Sequence, residues 1–226
     1  MASIRLILIL SLLAIVGWSP VYAGGILDSI KDVLGFGTKT DQIVIPSTGA
    51  SLPPFFRVEM EIVRLSNQAG IQASGSSCDK LDACDTWVYS YIDTEKPTAS
   101  FPGSLAVSAI PKVFESVDNN SPNINALITR DICNPKDVAN IRAVGRVHVM
   151  DHNKVLSDSL INDFDCSVGG AVANNQQSAA WTDSQCIAKH VPKKMQLFAR
   201  TRIYRIPPGD CTNARLSATT EKPAKG

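Results

Sequence analysis

Apolar and polar side chains alternate one by one along several stretches of this chain, and this pattern constrains the fold more than any other feature. The clearest stretch begins at Phe55, where Phe56, Val58, Met60 and Ile62 alternate with charged residues. A period of two indicates a strand with one buried face. The stretches with strand character are 43–45, 55–62, 86–92, 105–110, 124–128, 141–149 and 195–206. Since the helical crossovers of a parallel sheet are missing, we expect an all-β, antiparallel β-sandwich.

The first 23 residues have the features of a secretory signal peptide. Arg5 supplies one positive charge, an apolar run follows, and small residues precede a cleavage site after Ala23. Residues 1–23 are therefore predicted to be removed, and the protein is predicted to be secreted and extracellular. Because Arg5 is the one charged residue of this segment, the remaining chain has no net charge.

All six cysteines follow the signal peptide, and an even number of cysteines in an oxidising compartment predicts disulfide bonds. We expect three disulfides, a stapled sandwich, and no zinc knuckle, because the cysteines lack the two-residue spacing of such sites. Six cysteines allow fifteen pairings, and the sequence does not choose among them. They are Cys78, Cys84, Cys133, Cys166, Cys186 and Cys211.

Four segments are predicted along the chain. Residues 24–54 follow the signal peptide with a short amphipathic helix at 26–34 and a linker rich in Gly, Pro, Ser and Thr. Residues 55–211 form the sandwich domain. Residues 212–226 are polar and are expected to be a disordered tail. The helix fits either packing on its own domain or docking on a membrane or partner, although it lacks a basic polar face.

Two acidic clusters adjoin predicted strands and suggest a calcium site. The first contains Asp79, Asp82 and Asp85, and the second contains Asp151, Asn153 and Asp158. Calcium binds six to eight oxygen ligands, supplied largely by carboxylates on flexible loops. If the two loops meet at one end of the sandwich, their side chains converge. The alternative is that Asp simply caps these turns.

Basic residues are segregated near the end of the domain. No acid occurs between Ser184 and Pro208, and Arg200 and Arg202 should share one face of the last strand. A strip formed with Lys193 and Lys194 fits an anionic partner such as a sulfated glycan or lipid headgroups. The alternative is a solvated face that acidic residues elsewhere balance.

Other functional classes find little support. No Gly-x-Ser-x-Gly, His-Glu-x-x-His or phosphate-binding glycine loop is present, so we expect no enzyme. The three histidines form no local motif, and His148 is expected to be an ordinary outward-facing strand residue. The secretory address and neutral charge disfavour nucleic acid. Asn119 begins a glycosylation sequon, directly followed by Pro122.

Three segments resemble the N-terminal (MNNL) domain of Delta/Jagged-type Notch ligands. They are Val58-Glu-Met-Glu-Ile-Val-Arg-Leu-Ser-Asn67, Ala83-Cys-Asp-Thr-Trp-Val-Tyr-Ser-Tyr-Ile92, and Val147-His-Val-Met-Asp-His-Asn153 with Asp158-Ser-Leu-Ile161. Leu197 to Ile203 is a weaker match to the closing strand. The resemblance implies a C2-type β-sandwich, an extracellular setting and a recognition surface on the loops.

The same segments are similar to C2 domains in general, in which loops at one end bind calcium. Asp79 and Asp85 stand six apart, as in the first calcium loop of that family, and Asp151 and Asn153 match the start of its third loop. Asp158 falls one residue short of the usual spacing. Asn153 replaces a carboxylate, so the resemblance implies weaker calcium binding.

The resemblance does not extend to Notch activation. Tyr91 and Arg205 stand where the Notch-ligand domain has cysteines, so its disulfide pattern does not transfer whole. The DSL module and the EGF repeats have no counterpart in this sequence.

Two functional hypotheses follow. The first is a secreted binding module that meets a receptor, glycan or lipid headgroup through its loop end, with or without calcium. The second is a secreted structural or interaction protein with neither calcium nor lipid binding. The expected partners are an extracellular protein, a glycan or a membrane surface.

Overall fold

The computed structural model describes residues 43–44, 55–78, 82–133, 135, 142–153, 155–212 and 217–220, with the backbone alone at 43–44 and 217–220. The predicted signal peptide, the 26–34 helix and most of the linker lie outside these residues. Within the described ranges, no helix is long and apolar enough to cross a membrane.

Strands dominate the described residues, as the alternating pattern predicts. In chain order they are β1 Ile43–Val44, β2 Phe56–Ser66, β3 Thr86–Asp93, β4 Lys112–Glu115, β5 Asn123–Ile132, β6 Ala143–Asp151, β7 Ser159–Val168, β8 Gly170–Ala171, β9 Thr182–Ser184, β10 Cys186–Ala188, β11 Gln196–Arg205 and β12 Ser217–Thr220. Short 3-10 helices lie at Val107–Ala109 and Pro208–Asp210.

The strands form two five-stranded sheets. The first has the order β10-β7-β6-β3-β4, and the second has the order β12-β5-β2-β11-β9. Every pairing within these two sheets is antiparallel. The short strands β1 and β8 pair in parallel. The predicted class, an all-β antiparallel sandwich, is confirmed.

Inward-facing residues of the two sheets make one apolar core. The predicted apolar face of β2 is buried from Phe56 to Ile62, and its partners in the first sheet include Val88, Val147 and Phe164. The sheets approach closely at Gly145, where a Cβ atom would collide with the Met60 sulfur. A side chain at this position would force Met60 to move, so packing, and not a turn, favours glycine here.

Three disulfides staple the sandwich, as predicted, and the structure supplies their pairing. Cys78–Cys84 closes a loop that follows β2, and Cys166–Cys186 joins register partners on β7 and β10. Cys133–Cys211 connects the chain after β5 to the chain after β11.

The prediction of a strand at 105–110 is wrong. This segment forms a loop with the Val107–Ala109 helix, and the strand follows as β4. Polar side chains of β3 hold the loop instead, because the Tyr91 hydroxyl accepts a hydrogen bond from Leu105 N at 3.3 Å and Asp93 accepts one from Ser104 N at 3.0 Å.

The tail and strand β7 also differ from expectation. Ser217–Thr220, expected to be disordered, pair antiparallel with β5. Strand β7 lacks a simple apolar alternation because its outward positions Asp163 and Asp165 carry acids, and a bulge between Val149 and Met150 shifts the register of the pair. Those acids pair with cations and imidazoles of neighbouring strands.

Candidate functional site at the loop end of the sandwich

Four connections meet at one end of the sandwich, which we call the loop end. They are the connections 67–85, 116–122, 152–158 and 189–195, of which residues 79–81 and 154 lie outside the described part of the chain. The register places them together, since the start of β3 at Thr86 pairs with Asp151 at the end of β6, and Ser159 begins β7 beside it. Hydrogen bonds from Asn67 N to Ser121 Oγ, at 2.9 Å, and from Cys84 N to Asn120 Oδ1, at 2.8 Å, join the first two loops.

Asp151 is fully buried at the centre of the loop end. Its Oδ1 accepts a hydrogen bond from Asp85 N at 2.9 Å, and its carboxylate lies within 4.8 Å of the sulfurs of Cys78 and Cys84. The backbone bond from His152 N to the Asp85 carbonyl, at 2.8 Å, closes the same contact. Asp151 therefore fastens the end of β6 to the disulfide-closed loop.

The 152–158 loop closes on itself through Asp158. Its Oδ1 accepts a hydrogen bond from Asn153 N at 3.1 Å and lies 2.9 Å from His152 Nδ1. The Asn153 amide donates to the carbonyls of Asp151 and Ser157 at 3.4 Å. The His152 ring stacks on Trp87 at 3.7 Å between centroids. Asp158 and Asn153 are thus loop-forming residues in this arrangement.

The predicted calcium residues converge only in part. The structure brings Asp85, Asp151, Asn153 and Asp158 to the loop end, while Asp79 lies outside the described residues. Asp85 Oδ1 accepts a hydrogen bond from Asp118 N at 2.8 Å, and Asp151 faces the disulfide. One oxygen of each of these three aspartates thus accepts a hydrogen bond within the loop end, and calcium binding by these residues stays a prediction.

The tips of the loops are apolar, and the sequence patterns did not predict this. Val155 is 93% exposed, Leu156 is 76% exposed and Val117, in the neighbouring loop, is 63% exposed. Lys193 and Lys194 are exposed in the 189–195 loop of the same end. The available signal was a pair of apolar residues, Val155 and Leu156, inside an otherwise polar turn.

The two predicted basic arginines lie elsewhere, on the outer face of β11. Arg200 and Arg202 share a face, as predicted, but they pair with Glu61 at 2.7 Å and Glu59 at 2.5 Å on β2. Trp181 lies over both guanidinium groups, at 5.0 and 4.4 Å. Their charge is therefore balanced within the domain, whereas Lys193 and Lys194 lie in the 189–195 connection.

The glycosylation sequon lies in the 116–122 loop. Asn119 is exposed, its Oδ1 accepts a hydrogen bond from Ser121 N at 3.0 Å, and its carbonyl accepts one from Thr86 Oγ1 at 2.8 Å. A glycan at Asn119 stays a prediction, and it would stand at the loop end.

Comparison with known proteins identifies the class of this domain. No protein-family model matches the chain, and no curated protein matches it either. Among solved structures, a C2 domain protein from Ramazzottius varieornatus is 30% identical, with a TM-score of 0.63, over 70% of this chain and 93% of that one. The chain therefore belongs to the C2 domain family.

Weaker structural similarity extends to larger proteins. Human GIVD cytosolic phospholipase A2 is 11% identical over 74% of this chain and 18% of that chain, with a TM-score of 0.43. Drosophila C2-DSL-EGF1 is 14% identical over 66% of this chain and 67% of that chain, with a TM-score of 0.38. The C2-like part of the sequence resemblance is confirmed, and the closer resemblance to Notch ligands stays a prediction.

Proposed function

We propose that this protein is a secreted, non-enzymatic binding module that docks on an anionic membrane surface through its loop end. The observation that carries the proposal is the pair Val155 and Leu156, which stand almost fully exposed at the tip of one loop. Exposed apolar side chains at a tip are suited to insertion between headgroups, while Lys193 and Lys194 at the same end attract anionic lipids.

The expected affinity is modest. Burying one large aliphatic side chain stabilises a complex by about 1.5–3 kcal/mol. A lysine near an anionic surface adds about 1 kcal/mol. Two apolar tips and two lysines together supply about 5–8 kcal/mol, which corresponds to dissociation constants from the millimolar to the micromolar range. Reversible docking therefore fits the surface better than permanent anchoring.

The extracellular setting of the proposal rests on two features. The chain begins with a predicted signal peptide, and all six cysteines are paired in disulfides. Disulfides of this number are typical of oxidising compartments.

Calcium assistance is a separate part of the proposal. An ion bound to Oδ1 of Asp85 or Asp158 would compete with the hydrogen bond that this oxygen accepts. Such a site would bind weakly, in the range of extracellular calcium modules. Membrane docking through the apolar tips does not depend on it.

Vesicle sedimentation tests the docking surface. We expect the mature protein to sediment with vesicles of phosphatidylcholine and phosphatidylserine, and the double variant Val155→Ser, Leu156→Ser to lose at least about tenfold in binding, since 1.4 kcal/mol is a factor of ten. The matched control is Val107→Ser, a 40% exposed valine in the connection between β3 and β4.

The outcomes separate the alternatives. Equal loss from Val107→Ser and from the tip variant would overturn the assignment of the loop end. Absence of wild-type binding to anionic vesicles, with and without calcium, would instead favour the second hypothesis, a secreted structural or interaction protein. If the double variant Lys193→Gln, Lys194→Gln bound vesicles as well as the wild type does, only the electrostatic part of the proposal would be wrong.

A further inference from the structure

A cluster of two histidines and one aspartate lies on the outer face of the first sheet. His148 on β6 and Asp163 on β7 are direct register partners, and His148 Nδ1 lies 2.7 Å from Asp163 Oδ1. His190, in the 189–195 connection of the loop end, places its Nε2 3.6 Å from the other oxygen, Oδ2. Two imidazoles therefore face different oxygens of one carboxylate.

The buried residue next to Asp163 holds His190 in this position. Asn162 is fully buried, its Oδ1 accepts a hydrogen bond from His190 N at 3.0 Å, and its Nδ2 donates one to the His190 carbonyl at 2.6 Å. Lys189 N donates to the Asp163 carbonyl at 2.8 Å. The backbone of His190 is thus bonded to β7, and its side chain meets Asp163 without any movement of the connection.

The neighbouring cations pair with a different acid. Arg146 and Lys189 both pair with Asp165, Arg146 at 2.7 Å. In the part of the chain that the structure describes, the ion-pair partners of Asp163 are the two histidines. The charge of Asp163 therefore meets imidazoles, which are neutral or cationic according to pH.

The other titratable groups on this face are neutral or already bonded. Tyr89 on β3 is the register partner of His148, and burial raises the pKa of its hydroxyl above the ordinary value of 10.0, so it stays uncharged near neutral pH. Around Tyr89 lie Lys112 and Glu115 of β4, which form an ion pair, and Asp158, which accepts hydrogen bonds within its own loop. Mild acid therefore changes the charge of this face through its imidazoles.

Acidification reverses the charge of the cluster. An ordinary imidazole gains its proton near about pH 6.5, whereas an ordinary aspartate loses its charge only near about pH 3.9. Between these values the three side chains pass from one negative charge to one positive charge. Because the chain after the signal peptide has no net charge at neutral pH, this step also moves the mature protein toward a positive net charge.

We propose that His148, Asp163 and His190 form a pH sensor that strengthens docking on an anionic membrane in acid, an inference that rests on the docking function proposed above. His190 lies in the same connection as Lys193 and Lys194, so its proton adds to the positive charge at the loop end. Such attraction falls off within a Debye length, which is about 8 Å at physiological ionic strength and about 30 Å at 0.01 M salt. The effect of pH is therefore largest at low salt.

Vesicle sedimentation at pH 7.0 and pH 5.5 in 0.01 M salt tests the sensor. The vesicles contain phosphatidylcholine and phosphatidylglycerol, whose phosphodiester keeps its charge over this range. Besides the wild type, we use a parent chain with His152→Gln, because the protein has three histidines and this change leaves imidazoles in the cluster alone.

We expect the parent chain to bind at least about threefold more tightly at pH 5.5 than at pH 7.0, since one cation near an anionic surface strengthens binding by about fivefold. The wild type should respond at least as strongly. Adding His148→Gln and His190→Gln to the parent should abolish the response, and 0.15 M salt should reduce it. The matched control is Lys112→Gln in the parent, which removes a cation from the same sheet but should keep the ratio of the two affinities, because lysine is charged at both pH values.

A measurement without membranes separates failure of the sensor from failure of docking. Two imidazoles that share one carboxylate release their protons in linked steps. In NMR titrations of the imidazole Cε1 protons, His190→Gln should therefore move the curve of His148 more than that of His152. Since the His190 side chain is 40% exposed, this variant should keep the wild-type melting temperature.

The outcomes assign the failure. Unlinked titration curves, or a response of the parent chain that survives the loss of both His148 and His190, would overturn the sensor. Equal binding of the parent at the two pH values, with a stronger response in the wild type, would assign the response to His152 and would also overturn it. Linked curves in a protein that binds vesicles at neither pH would overturn the proposed docking and, with it, the role of the cluster.

Discussion

Two regions of this domain use charged residues in opposite ways. The 94–111 connection lies over the outer face of the first sheet and wraps the buried Arg146, which donates to the carbonyls of Lys96, Pro97 and Ala99. The loop end uses Asp85, Asp151 and Asp158 to close its turns but leaves Val155 and Leu156 exposed. In the first region polar groups are used for stability. In the second region they hold the loops in place, and we call them the frame of the exposed apolar tip.

The largest expected effect comes from the first region. Arg146 is 1% exposed, with Nη1 2.7 Å from Asp165 Oδ1 and Nε 3.6 Å from the buried Asp93. Removing one partner of a buried ion pair costs about 3–5 kcal/mol, because it leaves an uncompensated charge. We expect Arg146→Met to lower the free energy of unfolding in urea by this amount.

The control for this change is an exposed ion pair on the same sheet. Lys112 pairs with Glu115 at the surface, and such pairs contribute about 0–1 kcal/mol. Lys112→Gln should therefore leave unfolding nearly unchanged. A loss from Arg146→Met no greater than that from Lys112→Gln would contradict the role assigned to Arg146.

The next largest effect is a pH dependence of folding stability, and it comes from the end of the sandwich opposite the loop end. Burial disfavours the charge of Asp131, but hydrogen bonds from Arg57 and from Thr212 outweigh it and hold the pKa of Asp131 below its ordinary value. A group with a lowered folded pKa contributes stability that is present above its unfolded pKa, about 3.9, and is lost as pH falls below it through the folded pKa.

Thermal melts of wild type and Asp131→Asn between pH 7 and pH 2 measure this contribution. We expect Asp131→Asn to cost about 1.5–3 kcal/mol at pH 7, as for a hydrogen bond to a charged group, and to flatten part of the acid loss. The difference between the two proteins should shrink as pH falls. A constant difference down to pH 2 would show that Asp131 acts by packing alone.

The strands of the core were predictable because their periodicity is local. Along β2 and β11 the inward residues are apolar except for Thr201. The alternation places Leu197, Ala199, Thr201 and Ile203 on one face of β11, and all four are buried. The alternating pattern did not predict strand β7, because its outward residues are acids that form ion pairs with other parts of the chain. The apolar segment 105–110 was misread since Tyr91 and Asp93, distant in sequence, hold it as a loop.

The candidate site was predictable only to the level of its loops. The acidic residues do meet at one end, because the order of strands brings Thr86 beside Asp151. The direction of each carboxylate depends on contacts that spacing does not reveal, such as Asp151 against the Cys78–Cys84 disulfide. The convergence of His148 and His190 on Asp163 likewise requires the register of β6 with β7.

Calcium should have a smaller effect on stability than either substitution above. For an extracellular module with a dissociation constant near 1 mM, 10 mM calcium stabilises the folded state by about 1.4 kcal/mol. We expect a corresponding rise in melting temperature over chelator, which Asp85→Asn with Asp158→Asn removes. Asp183→Asn, an exposed acid on β9 of the second sheet, is the matched control. If the melting temperature of the wild type were the same in calcium and in chelator, the prediction of a calcium site at the loop end would be wrong.

The smallest effect should come from the exposed tip itself. Val155 and Leu156 are exposed in the folded domain, so replacing both by serine removes almost no buried apolar area. Surface substitutions of this kind change the free energy of unfolding by about 0.5 kcal/mol or less. Urea unfolding of the double variant should therefore match the wild type while vesicle binding falls. Marked destabilisation would show that the tip packs against another part of the chain, and the frame and the tip would then no longer have separate roles.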